Sequence, residues 1–154
     1  MNISDCLIII PTYNEKENVQ KMIETVLSIS ERFDILIVED GSPDGTADIV
    51  KEMMTKSSNR VHILERKGKL GLGTAYIAGF KWALERHYEF IFEMDCDFSH
   101  NPFDLLRLLK ACEEGADLSV GSRYVKGGKV ENWPDDRVFI SKYASVYVRI
   151  ITFM

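Results

Sequence analysis

The sequence predicts a doubly wound α/β fold, a mostly parallel sheet with helices on both faces. Three observations carry that expectation. Short β-rich apolar runs alternate with segments of helical spacing along the chain. The runs are almost continuously apolar, as strands covered on both faces must be. Polar, mostly glycine-bearing segments follow the runs, on the edge where sheets of this kind place their ligands.

The elements follow in order. CLIII (6–10) is a buried strand that ends at Pro11, and 15–31 has helical spacing, with Val19, Met22, Ile23, Val26 and Leu27 on one stripe. DILIVE (34–39) and RVHIL (60–64) are strands on either side of a helix over 44–57. A further helix over 72–87 leads to the strand EFIFEM (89–94), and another over 102–113 buries Leu105, Leu108, Leu109 and Cys112. DLSVG (117–121) is expected to be a fifth strand. No repeat or low-complexity stretch interrupts the pattern, and 154 residues suit a single domain over 1–154.

Composition narrows the function classes. With 45% hydrophobic and 28% charged residues the chain is an ordinary globular one. A net charge of −5 gives no electrostatic footprint for nucleic acid. Its three cysteines, Cys6, Cys96 and Cys112, form no C-x-x-C pair, so reduced buried thiols in a cytoplasmic setting are expected. No secretory signal and no run of about 18 apolar residues is present. The last segment, VFISKYASVYVRIITFM, ends on Ile150, Ile151, Phe153 and Met154, and reads as a chain interrupted at its C-terminus.

The polar edge segments carry the chemistry. In FIFEMDCDFSHNP (90–102), Asp95 and Asp97 alternate, so both project to one side of an extended segment. Two such carboxylates suit a hard dication that shares its remaining positions with phosphate and water. The plain structural alternative is a helix cap or two solvated acids. Cys96 belongs in the core, and the few histidines and unpaired cysteines do not suit zinc. EDGSPDGT (39–46) offers Asp40 as an acceptor for a nucleotide base or ribose, while Ser42 or Asp44 starts the next helix. PTYNE (11–15) combines a turn with a helix start, where Asn14 or Glu15 can cap and Tyr13 can stack on a base.

GKLGLGT is neither a Walker motif, since Thr74 and Ala75 follow Gly73, nor a dinucleotide fingerprint, since Tyr76 stands where glycine is required. It still allows a loop to approach a phosphate before a helix, with Arg66, Lys67 and Lys69 beside it. Arg123 follows the fifth expected strand and Arg137 opens a helical segment, and arginine's planar fork matches phosphate oxygens. Lys126, Lys129 and Lys142 are read as scattered surface cations.

PTYNE, VEDGSPDGT, GKLGLGTAY, MDCDFSH and GSRYVKGG, in this order and spacing, resemble the family 2 glycosyltransferases of the GT-A fold. More narrowly they are similar to the polyprenol- or dolichol-phosphate mannosyltransferases, from about Ile8 to the end of the chain. The resemblance implies a GDP-sugar pocket at Pro11, Tyr13, Glu15 and Asp40, with Lys69 in the donor site. It implies that Asp95 and Asp97, the DxD motif, hold Mg²⁺ or Mn²⁺ against the donor diphosphate. Arg123 and Arg137 would bind the donor diphosphate or the acceptor phosphate, assisted by Ser141 and Lys142. Many members read D-A-D where this chain has D-C-D, and some have Gln where Ser99 stands, which makes Ser99 a weaker or water-mediated metal contact.

The activity implied is inverting transfer of mannose from GDP-mannose to a polyprenyl (dolichyl) phosphate, on a protein peripheral to the cytoplasmic face of a membrane. Members of the family are usually longer than this chain. A UDP-sugar transferase such as a polyprenyl-phosphate glucosyltransferase is the nearest alternative, and a nucleotide-sugar-binding module without turnover is another.

Overall fold

The computed structural model describes residues 4–122 and 135–152; in the second stretch the side chains of 135–138, 142, 145, 149 and 152 lie outside the description. The chain divides into two units after Ser119. The first holds four strands, β1 (Cys6–Thr12), β2 (Phe33–Glu39), β3 (Val61–Glu65) and β4 (Phe90–Glu93). It also holds four helices, α1 (Val19–Ile29), α2 (Thr46–Lys56), α3 (Leu72–Leu84) and α4 (Asp104–Glu113). The second holds α5 (Asp135–Thr152).

All pairings among these strands are parallel, in the order β3-β2-β1-β4. The chain steps outward from β1 to β2 to β3, then returns through α3 to lay β4 on the other side of β1. That reversal makes the C-terminal ends of β1 and β4 the switch point of the sheet, where a crevice opens. Strand periodicity explains the two cores. Ile8, Ile10, Ile35 and Ile37 face Val19, Met22, Ile23, Val26, Val50, Leu105 and Leu109 of α1, α2 and α4. Leu7, Ile9, Leu36 and Val38 face the opposite way, against Ala75 and Ala83 of α3. Each large aliphatic side chain buried this way contributes about 1.5–3 kcal/mol.

The helix over α3 lies unusually close to the sheet. A Cβ placed on Gly79 would come within 2.6 Å of Ile9 Cγ2, so glycine sets the approach distance.

At the N-terminal end of the sheet, ion pairs around the half-buried Asp5 and the buried Asp34 take over from apolar packing. Arg32 forks onto Asp5 at 2.9 and 2.7 Å and reaches Glu113 of α4 at 2.6 Å. Asp34 is fully buried and accepts a hydrogen bond from Tyr88 Oη at 2.8 Å. Its other oxygen, Oδ1, has no direct partner and faces Arg60 Nε at 3.9 Å. The Arg32 hydrogen bonds hold the Asp5 carboxyl below its usual range. Burial opposes the charge on Asp34, but His62, Ser4 and Tyr88 more than offset it and the carboxyl again lies below its usual range.

Both groups therefore bind protons less tightly when folded than when unfolded. Their stabilisation is present above the unfolded carboxylate value, about 3.9, and is lost as pH falls through the lower folded values. Urea midpoints are expected to be flat between about pH 7 and pH 5 and to drop below about pH 4. In Asp34→Asn the acid drop should be shallower; an identical drop in both proteins would remove Asp34 from this account.

The expected helices and strands are present with shifted ends, save one. The first helix starts at Val19 rather than 15, because the PTYNE backbone is held in a separate rim described below. The expected strand at 117–121 does not form: this segment is irregular, with Leu118 and Val120 exposed at 78% and 74%. DLSVG has only two large apolar residues, and among the described residues β4 pairs with β1 alone and no strand pairs with this segment. Cys6 and Cys96 are buried and Cys112 half-buried, all three as free thiols.

Candidate active site

Two loops build the rim of the crevice by satisfying each other's backbone. The N–H groups of Asn14, Glu15 and Lys16 donate to Ser42 Oγ, Thr46 Oγ1 and Asp44 Oδ2 at 3.0, 3.1 and 3.1 Å. Asn14 adopts φ 59°, a left-handed conformation that asparagine tolerates. The buried Glu39 carboxylate caps the N–H groups of Gly41 and Ser42 at 2.9 and 2.7 Å. Asp44 accepts from Thr46 N–H and Oγ1 at 3.0 and 2.6 Å, so it serves the start of α2 as expected. Glu15 anchors the entry to α1 by accepting from Asn18 Nδ2 at 2.9 Å. The rim is thus fixed before any ligand arrives.

Behind it lies a cleft of about 230 Å³ lined by the ends of β1, β2 and β4 and the first turns of α3. Pro11, Tyr13, Glu15, Asp40, Lys69, Asp95 and Asp97, all singled out in the sequence, line it together. Lys69 Nζ lies 4.6 Å from the centre of the Tyr13 ring, a cation–π contact that covers one ring face.

Alternation places the DxD side chains. The backbone beyond β4 continues alongside β1, with Met94 N–H donating to Ile9 O at 3.1 Å. All three residues border the cleft, but the Cys96 side chain packs in the core, 2% exposed, while Asp95 is half-buried and Asp97 exposed. Burial, then the charges of Glu15, Asp97 and Asp95, pushes the Cys96 thiol up to about 12. With its side chain packed in the core, Cys96 is not presented to an ion in the cleft, which counts against the soft-metal reading.

Asp97 Oδ1 accepts the Ser99 N–H at 2.9 Å. That bond, with the Ser99 hydroxyl and the nearby His100, holds the Asp97 carboxyl below its usual range, so it is ionised at neutral pH. Asp95 accepts from Tyr76 Oη at 3.2 Å through Oδ1, and its Oδ2 lies 4.0 Å from His100 Nδ1. Burial and the Asp95 charge raise the Tyr76 phenol well above its ordinary value, keeping it a donor. Among the described residues no group of three or more His, Cys, Asp or Glu could enclose a metal ion. Two carboxylate oxygens donors with open positions fit a hard dication that keeps waters and takes phosphate oxygens.

Ser99 is exposed and orients Asp97 rather than lining the cleft. Arg123 lies outside the described residues, as do the side chains of Arg137 and Lys142, whose backbones belong to α5. Ser141 is a half-buried residue of α5.

Sequence reasoning missed two partners. Tyr76 was visible only as a departure from a glycine motif, yet it sits one residue after Ala75 on the sheet-facing side of α3 and reaches Asp95. Arg66 was read as one of several loop cations, yet it grips Asp40 with its fork, Nε to Oδ1 at 2.5 Å and Nη2 to Oδ2 at 2.6 Å. Its place directly after β3 was the available signal. Tyr76→Phe is expected to weaken Mn²⁺ binding about tenfold, as loss of a ligand-orienting hydrogen bond does. Titration calorimetry checks this, and unchanged affinity would detach Tyr76 from the site.

The sequence pattern of glycosyl transferase family 2 matches residues 7–152. The chain belongs to that family. Among curated proteins, this family 2 chain is 50% identical over 145 residues to the polyprenol monophosphomannose synthase of Mycolicibacterium smegmatis, covering 94% of the chain and 55% of that protein. It is 48% identical to the undecaprenyl-phosphate mannosyltransferase of Micrococcus luteus, covering 94% and 59%. It is 40% identical to the dolichol-phosphate mannosyltransferase of Pyrococcus furiosus, covering 93% and 40%. The chain spans about half the length of these curated relatives.

Among solved structures, S. aureus TarS 1–349 in complex with UDP-GlcNAc superposes with a TM-score of 0.59 at 21% identity, covering 79% of the chain and 38% of that structure. The same TarS segment in a second crystal structure gives 0.59 at 19%, covering 79% and 40%. The fold of the family 2 chain is GT-A, with its parallel sheet and flanking helices.

Proposed function

We propose that this chain is the donor-binding part of an inverting enzyme that moves mannose from GDP-mannose to a polyprenyl phosphate. One observation carries the reading: at the switch point of the sheet, Asp95 and Asp97 line the cleft with accessible side chains, while Cys96 between them, which also borders it, is only 2% exposed and packs in the core. The names of the curated relatives, all transferring or carrying mannose on a polyprenyl-type phosphate, support the sugar and the acceptor.

A divalent ion, Mg²⁺ or Mn²⁺, bound at Asp95 and Asp97 would neutralise the diphosphate that departs from the sugar. The chain's own groups do the rest. Tyr13 offers its uncovered face to the base, Asp40 accepts from the nucleoside, and Lys69 adds positive charge beside the phosphates. Glu15 holds the rim against Asn18. The acceptor is a phosphate monoester whose second ionisation lies near pH 6, so its oxygen attacks the anomeric carbon already as an anion. The bond from that carbon to the diphosphate oxygen breaks, GDP leaves, and no general base is required. From the family resemblance, Arg123 is assigned to the donor diphosphate, and Arg137, with Ser141 and Lys142, to the acceptor phosphate, where they would orient the incoming anion.

The lipid acceptor also gives α5 a role. No helix among the described residues is long and apolar enough to cross a membrane. α5 nevertheless exposes Phe139, Ile140, Tyr143, Tyr147, Ile150 and Ile151. In this proposal it lies along a cytoplasmic membrane surface. Failure to co-sediment with vesicles bearing polyprenyl phosphate would oppose that part.

Calorimetry with GDP-mannose, UDP-glucose and UDP-GlcNAc, with and without Mn²⁺, tests the donor. Mn²⁺-dependent binding of GDP-mannose in preference to the others is expected. Preference for a UDP-sugar would change the donor, and binding without release of GDP on adding polyprenyl phosphate would make the chain a binder rather than a catalyst.

A further inference from the structure

The sequence offers Asp40 as a free acceptor for the nucleoside, but both of its oxygens are already engaged. Arg66 Nε and Nη2 bond Oδ1 and Oδ2, and the pair is nearly enclosed, with side chains 10% and 9% exposed. The same guanidinium continues into α3: Nη1 donates to Thr74 Oγ1 at 2.8 Å and Nη2 approaches Gly71 O at 3.4 Å. The backbones are joined too. Arg66 N–H donates to Glu39 O at 2.8 Å, and Asp40 N–H donates to Thr12 O at 3.1 Å. Gly41, at φ +70°, lies so near the next loop that a Cβ there would sit 3.2 Å from Gly68 Cα. The end of β2, the loop after β3 and the first turn of α3 therefore meet at one guanidinium.

We propose that Arg66 is a positioning residue of the donor site, fixing the Asp40 carboxylate in the orientation that receives the nucleoside. The inference rests on the reading of the cleft as a nucleotide-sugar site, and deepens it. A carboxylate has about four acceptor sites on its two oxygens. With Arg66 taking the fork, each Asp40 oxygen keeps acceptor capacity for an N–H or O–H of the nucleoside, in an orientation a solvated aspartate would not hold. Lysine cannot reproduce this, because a single ammonium has no planar fork and cannot reach Asp40, Thr74 and Gly71 together.

The test separates the nucleoside from the phosphates. Wild type, Arg66→Lys, Arg66→Gln, Asp40→Asn and the double variant Asp40→Asn/Arg66→Gln are titrated with GDP and with pyrophosphate, both with Mn²⁺, alongside thermal melts. Arg66→Gln is expected to weaken GDP binding about tenfold while leaving pyrophosphate affinity within about twofold, and Arg66→Lys to fall between. Because Arg66 acts through Asp40, adding Arg66→Gln to Asp40→Asn should change GDP affinity by less than about threefold.

Equal losses for GDP and pyrophosphate, full additivity in the double variant, or a folded Arg66→Gln protein with unchanged GDP affinity would each overturn the inference. If Arg66→Gln does not fold, a folded Arg66→Lys protein with wild-type GDP affinity overturns it as well. A wild-type chain that binds neither GDP nor UDP overturns the donor reading and this inference with it. Wild-type binding with indifferent Arg66 variants overturns the inference alone.

Discussion

Asp97→Asn is expected to abolish Mn²⁺-dependent donor binding and to reduce mannosyl transfer by about 10²–10³-fold, or ~2.7–4 kcal/mol of transition-state stabilisation. The substitution is nearly isosteric. Its amide oxygen can still accept the Ser99 N–H that Asp97 accepts at 2.9 Å, so the turn after β4 keeps its closure. The side chain is exposed on the cleft, where surface substitutions change stability by about 0.5 kcal/mol or less. What disappears is the charge. Asp97 is held ionised by Ser99, and the adjacent Asp95 alone leaves one carboxylate to balance a dication beside a diphosphate. Ser99→Ala is the informative control: the backbone N–H bond to Asp97 survives, so a much smaller loss is expected. Mn²⁺ titrations and melting curves on the three proteins check the pattern. Equal Mn²⁺ affinity in Asp97→Asn and wild type would contradict it.

Gly79→Ala is expected to lower stability by about 2 kcal/mol although alanine is the better helix former by about 1 kcal/mol. The new Cβ would stand 2.6 Å from Ile9 Cγ2 and 3.0 Å from Cδ1. Ile9 is fully buried in the middle of β1, and a β-branched side chain there has little rotamer freedom with which to yield. α3 must therefore lift from the sheet, taking with it Leu72 and Ala75 of the cleft wall and the Tyr76 hydroxyl bonded to Asp95. For a domain of this size the melting temperature should fall by about 4–8 °C, and donor affinity should weaken as well. The decisive comparison is made in Ile9→Ala. That variant alone loses about 2–5 kcal/mol by cavity formation, but it removes both colliding atoms. In its background Gly79→Ala should be neutral or stabilising. A penalty of the same size in both backgrounds would show that the Ile9 contact is not the cause.

The strand and helix pattern was legible because period-2 and period-3.6 signals were long and unmixed. The stripe of Val19, Met22, Ile23 and Val26 is buried as a unit, and the runs around Ile8 and Leu36 divide between the two cores. The strand order was not legible, since pairing depends on contacts far apart in the chain. The failed strand at 117–121 shows the limit of short apolar alternation: Leu118 and Val120 had the right composition, but no strand among the described residues pairs with them.

In the cleft, residues at or just beyond the C-terminal ends of strands were found readily, because a parallel sheet must deliver them to one edge. Pro11, Tyr13, Asp40, Asp95 and Asp97 arrive there for that reason, together with Glu15 and Lys69 from the adjoining loops. Residues that act by orienting others were harder to see. Tyr76 reaches Asp95 from a helix across the crevice, and Arg66 reaches Asp40 from another loop. Their roles exist only once the backbone has brought separate segments together.

The most direct measurement of the central claim is anomalous diffraction from crystals of the chain grown with Mn²⁺ and GDP-mannose. One manganese peak is expected between the carboxylates of Asp95 and Asp97, in contact with the donor diphosphate, with the nucleoside beside Asp40. A donor lodged elsewhere, or a nucleotide in the cleft with no manganese at those two side chains, would contradict it.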